Sequence, residues 1–126
     1  MDPLYLDSSR PKLFGNATDA NYPPLTPLLG DAVYTHVCPE ASDPPPRDLF
    51  GGGSGRSGID MALLAVPRHG NRPNPVPTDW PPDKPLPGAV NVSFFDGHGE
   101  LVKLDHLYQL YWHKDYRPPA KRPGLR

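Results

Sequence analysis

The stretch "NVSFFDGHGELVKL", residues 91–104, alternates apolar and polar residues, reaches Asp-Gly, and alternates again. Side chains on a strand point to opposite faces in turn, and Asp-Gly suits a tight reversal, so the pattern predicts a β-hairpin. A two-residue turn at Asp96-Gly97 pairs Phe95 with His98, Phe94 with Gly99, Ser93 with Glu100 and Val92 with Leu101. One face then holds Val90, Val92, Phe94 and Leu101; the other holds Asn91, Ser93, Phe95, His98 and Glu100. A half-buried antiparallel pair needs one apolar face of this kind. The expected centre of the fold is therefore a hairpin over 90–103, with Phe94 in the core and Gly97 at positive φ.

The flanks of the hairpin are read from the same physics. Downstream, "LDHLYQLYWHKDYRPP" (104–119) predicts a short helix. Asp105 is its N-cap, Leu107, Leu110 and Tyr111 its apolar stripe, and Pro118 its stop. Trp112 on that helix is expected to seal one side of the sheet. Upstream, "LLGDAVYTHV" (28–37) carries the β-formers of a first strand. "MALLAV" (61–66) favours helix by propensity, but its brevity and Pro67 predict a buried strand instead. Between them, residues 38–60 read as loop. The glycines of "GGGSGRSG" (51–58) lack the Gly-Lys-Ser/Thr that a phosphate loop needs. Residues 71–88 contain seven prolines and predict a long extended loop, clipped to the body by Trp80.

Composition limits the rest. Prolines and glycines make up about a quarter of the 126 residues, and apolar residues only 37%, so the core must be small. The fold class expected is α+β: a small antiparallel sheet with a C-terminal hairpin and one short C-terminal helix, rich in loops. Residues 1–27 read as an extended segment, 28–116 as the globular domain and 117–126 as a basic disordered tail. A net charge of −1 argues against nucleic acid or anionic membrane as a partner. No apolar run exceeds six residues, too short for a membrane span or a signal core. Cys38 stands alone, so no internal disulfide can form.

"RHG" (68–70), "NVSFFDGHGELVKL" (91–104) and "LYQLYWHKDY" (107–116) together resemble the C-terminal domain of bacterial pseudopilin-like proteins. The domain is the prepilin-type processing-associated one, named for a His followed after a short spacer by Asp-Gly. Here those residues are His69 and Asp96-Gly97. Residues 70–95 separate them, so a proline-rich insertion has lengthened the spacer. Members of this family begin with a cleaved, methylated leader and a long hydrophobic helix. Neither is found in residues 1–126, so the resemblance implies either the globular part alone or a detached relative that does not polymerise by the usual route. It further implies a structural subunit of a type II secretion or type IV pilus-like apparatus, in the cell envelope or outside the cell. Its partners would be other pilin-like subunits or secretion-apparatus proteins.

The polar residues leave two readings open. His69, Asp96 and His98, with Asp31, could form a cluster that holds calcium or another divalent metal. Alternatively, Asp96 and Gly97 only build the turn while His69 hydrogen-bonds the hairpin backbone, so that no cofactor is needed. No serine elbow, helically spaced histidine pair or oxyanion motif is present, and catalysis is not expected. The alternatives to a pilus-like subunit are a free-standing binding module that uses its loops, and a small metal-dependent enzyme.

Overall fold

The computed structural model describes residues 20–33, 37–52 and 60–126. Strands β1 (Pro27–Gly30), β2 (Ala89–Phe94) and β3 (Gly99–Lys103) form one antiparallel sheet in that order, with β2 central. A short helix, α1 (Asp60–Leu64), and a 3-10 helix (Leu104–Gln109) pack with it. The domain is thus a small α+β unit. Val90, Val92 and Phe94 of β2 point into a core shared with Leu49, Met61, Leu64, Val102, Leu104, Leu107, Tyr108 and Tyr116.

The hairpin forms where expected, but its turn has three residues and not two. Phe94 N–H donates to His98 O at 2.9 Å, and Gly97 N–H donates to Phe94 O at 3.0 Å. Phe95, Asp96 and Gly97 make the loop, with Gly97 at φ +92°. A tight turn closed by a left-handed glycine is the usual three-residue solution. The extra residue shifts the register by one, so Val92 faces Glu100 and Asn91 faces Leu101. A one-residue slip exchanges faces. Leu101 is consequently 52% exposed, not buried, and Val102 takes its place in the core at 4%.

The segment 61–66 is not a strand. Asp60–Leu64 is helical, and Met61, Ala62, Leu63 and Leu64 are all buried. β2 already has β1 on one edge and β3 on the other, which leaves this segment no place beside β2. Its propensity for helix then prevails. Asp43 makes the short helix tolerable, because its carboxylate accepts the Met61 N–H at 3.1 Å.

The first strand is shorter than 28–37: β1 ends at Gly30, and Tyr34, Thr35 and His36 lie outside the described residues. The same holds for residues 1–19 of the extended N-terminal segment and 53–59 of the glycine loop. After β3 the chain makes a 3-10 helix in place of the expected α-helix. Asp105 is not its cap: the cap position is Lys103, with no side-chain bond. Tyr111 N–H donates instead to Leu25 O at 2.8 Å, which draws the chain out of helical geometry. Trp112 does pack against the core, held by Nε1–H to Leu107 O at 2.7 Å.

The proline-rich loop is fixed at several points. Trp80 packs on the core, and its backbone N–H donates to Arg47 O at 2.8 Å. The loop re-enters the sheet at Gly88, φ +83°, where a Cβ would stand 2.6 Å from Pro67 Cβ. The basic end of the chain is not a solvated tail. Arg122 is 2% exposed; its Nε–H donates to the Asp105 carboxylate, and its amines donate to Pro82 O at 2.8 Å and Lys84 O at 2.6 Å. A guanidinium can satisfy several carbonyls at once, which a proline-rich loop lacks amides to do.

Two outcomes follow from these placements. Nothing lies within 4 Å of a Cβ added at Gly97, so Gly97→Val meets only the backbone penalty. It should cost about 1–3 kcal/mol in urea unfolding, and Gly97→Asn distinctly less. Arg122→Ala leaves Asp105 and two loop carbonyls without their donor and should cost about 3 kcal/mol in the same measurement. A tail that was only a solubilising arm would show no change.

Candidate functional site

The hairpin tip gathers four side chains because the three-residue loop sets Phe94 directly across from His98. Their rings stack at 4.4 Å with planes 2° apart. The Asp96 carboxylate accepts the His98 N–H at 3.1 Å and also bonds the His98 Nδ1. On the other side of the ring, His98 Nε2 lies 3.3 Å from the Glu100 carboxylate. An imidazole between two carboxylates is stabilised as the cation. Bonding to Asp96 first, then to Glu100, raises the His98 pKa above its ordinary value, and the His98 bonds lower that of Asp96.

His69 does not belong to this cluster. Its backbone bridges Ala89, with N–H to O at 2.9 Å in both directions, at the end of β2 away from the tip. Five residues of strand, about 17 Å, separate Ala89 from Phe94. The His69 side chain pairs instead with Asp31, Nε2 to Oδ2 at 3.2 Å, and the same oxygen accepts the Asn91 N–H at 2.9 Å. The expected trio of His69, Asp96 and His98 is therefore split into two pairs. Among the described residues no group of three or more His, Cys, Asp or Glu side chains is placed to hold a metal ion. Exposed donors spread along a strand do not fit calcium, which takes six to eight oxygens around one point.

The buried polar groups were not visible in the sequence as a set. Asp43 is 5% exposed, and its Oδ2 accepts the Glu40 N–H at 3.0 Å and the Met61 N–H. Burial pushes its pKa up, while those two amides pull it down. Tyr108 O–H donates to Asp43 O at 3.0 Å, and Tyr116 O–H to Tyr108 O at 2.8 Å. Burial holds both phenols far above the ordinary tyrosine range. His113 is buried beside them, with Nε2 3.1 Å from Glu40 Oε2 and the Tyr116 ring edge-on at 5.4 Å. No short motif announces this set, since Asp43 and Tyr108 lie 65 residues apart. All its bonds fix loops to the core.

A cavity of about 240 Å³ lies between the stacked rings of Tyr22 and Tyr111 and the residues His113, Lys114 and Arg117. It holds no nucleophile with a base in hydrogen-bond reach. The described residues thus offer well-anchored loops, an ionic tip and no converging catalytic set.

The tip should be pH-dependent in a defined direction. The Asp96 contribution is present above the ordinary carboxylate value of 3.8 and is lost as pH falls through its lowered pKa. The His98 contribution is complete below 6.5 and is lost as pH rises through its raised pKa. Protection factors of the tip amides, exchange rates corrected for the intrinsic pH dependence, should therefore be highest between about pH 4 and 6.5. In Asp96→Asn, the His98 imidazole followed by NMR should titrate at a lower pH than in the parent chain. An unchanged midpoint would show that the pair does not form.

No family model, curated protein or solved structure matches the chain.

Proposed function

We propose that this chain is the globular part of a pseudopilin-like structural subunit of a type II secretion or type IV pilus-like apparatus, and not an enzyme. The observation that carries the reading is where the motif residues sit. Asp96-Gly97 closes the far end of β2 and His69 bridges Ala89 at its near end. The signature pair therefore brackets the central strand, a structural task that requires no substrate. The inserted loop leaves after Gly70 and returns at Gly88, beside the His69 bridge, so a longer spacer still leaves both ends of the strand closed.

An assembly subunit needs contact surface more than it needs a cleft. Leu28, Leu29, Phe50, Tyr22 and Leu101 are each more than half exposed. No helix among the described residues is long and apolar enough to cross a membrane. In this reading the hydrophobic anchor belongs to a part of the gene product other than these residues, and the domain sits in the cell envelope or outside the cell. Its partners are other pilin-like subunits or secretion-apparatus proteins, bound without nucleic acid.

The test uses the native protein. Cells are cross-linked, surface filaments are sheared off, and the cross-linked peptides are identified by mass spectrometry. Peptides from this domain should be joined to pilin-like subunits and belong to a polypeptide with a hydrophobic N-terminal segment. Recovery as a free chain, with no link to any pilin-like protein, would overturn the reading.

A further inference from the structure

Bonds at both ends of the β2–β3 ladder fix which way the β3 backbone faces. Phe94 N–H donates to His98 O, and Leu104 N–H donates to Gly88 O at 3.4 Å. Facing pairs in an antiparallel ladder alternate, so Glu100 and Val102 turn their backbone groups toward β2. Gly99, Leu101 and Lys103 turn theirs outward. All three residues are exposed, and β3 is an outer strand of the sheet. Lys103 is the N-cap of the 3-10 helix, so its C=O serves the first turn of that helix; the N–H and C=O of Gly99 and Leu101 and the N–H of Lys103 face no neighbouring strand. β3 is a bare edge of the kind that pairs with another strand. The opposite edge is a poorer template, because β1 has four residues, starts with a proline and shifts register between Pro27 and Leu29.

We infer that β3 is a docking edge for the β3 of a second copy of this chain, paired antiparallel about a twofold axis at Leu101. This register sets Gly99 opposite the partner's Lys103 and Leu101 opposite the partner's Leu101. The two Leu101 residues then exchange two backbone hydrogen bonds, and each Lys103 N–H donates to the Gly99 C=O of the other copy, four bonds in all. The half-exposed Leu101 side chains meet on the axis, on the face away from the core. The two sheets become one of six strands.

Charge selects the second copy and its direction. The tip end of the edge carries Asp96 and Glu100, with His98 between them. The other end carries the exposed Lys103 and His106, while the neighbouring Asp105 is matched by Arg122. Antiparallel pairing sets the tip end of each strand alongside the end of the partner's strand that carries Lys103 and His106. Parallel pairing would put like charges together. The edge is thus complementary to itself, as a twofold contact must be.

This contact does not depend on the pilus-like reading. A five-residue edge lies at the weak end of interface sizes, so sedimentation equilibrium should be run up to about 1 mM protein. The chain should approach twice its monomer mass there, and the amides of Leu101 and Lys103 should gain exchange protection as it does. Leu101→Lys and Leu101→Glu each place like charges on the axis and should be monomeric. An equimolar mixture of the two should dimerise again, which an unfolded variant could not do. A parent chain that stays monomeric to 1 mM overturns the proposal and leaves the pilus-like reading standing. So does a dimer that both single variants form equally well, or one whose outward β3 amides gain no protection.

Discussion

The Asp105 carboxylate joins three parts of the chain. One oxygen accepts the Leu86 N–H at 3.0 Å, at the end of the proline-rich loop. The other accepts from Arg122, near the end of the chain, whose remaining amines bind Pro82 O and Lys84 O. Asp105 itself sits in the 3-10 helix that follows β3. A buried cation without such partners would cost several kcal/mol. Surrounded by a carboxylate and loop carbonyls, it supplies the donors that proline cannot. Asp43 plays the same part on the opposite side, tying the Glu40 and Met61 amides together.

This is the answer a chain with twenty prolines reaches when its sheet has only three strands. Most of its backbone lies outside ladders, yet buried amides and carbonyls still need partners. Side chains meet that need, one carboxylate or guanidinium serving two or three backbone groups each. Asp43, Asp105 and Arg122 are therefore already engaged in holding loops.

What could be read in the sequence follows from the range of the forces involved. The hairpin, the burial of Val92 and Phe94, the positive φ of Gly97 and the docking of Trp80 rest on local pattern, and each is where it was expected. The register was not legible. Two-residue and three-residue turns both suit Asp-Gly, and the choice rests on Asp96 bonding the His98 N–H. Residues 61–66 were misread because the deciding fact is remote: β1 and β3 occupy both edges of β2. Arg122 looked like part of a solvated tail because its partners lie 17 to 40 residues away. The candidate metal trio failed for a similar reason, since proximity in a motif says nothing about which end of a strand each residue reaches.

The same architecture explains why the sheet's outer edge is bare. Loops held by side-chain bonds stay close to the carboxylates that anchor them, and those carboxylates lie at the core face and at the base of the sheet. Asp43 reaches α1, Asp105 reaches the loop at Leu86, and Asp31 reaches the β1–β2 edge at Asn91. A regular domain would cover such an edge with a further strand or a helix, or break it with a proline. In this chain the prolines are concentrated in the loops, and β3 has none. An ordered, uncovered strand is where a fold of this kind is most able to meet another chain.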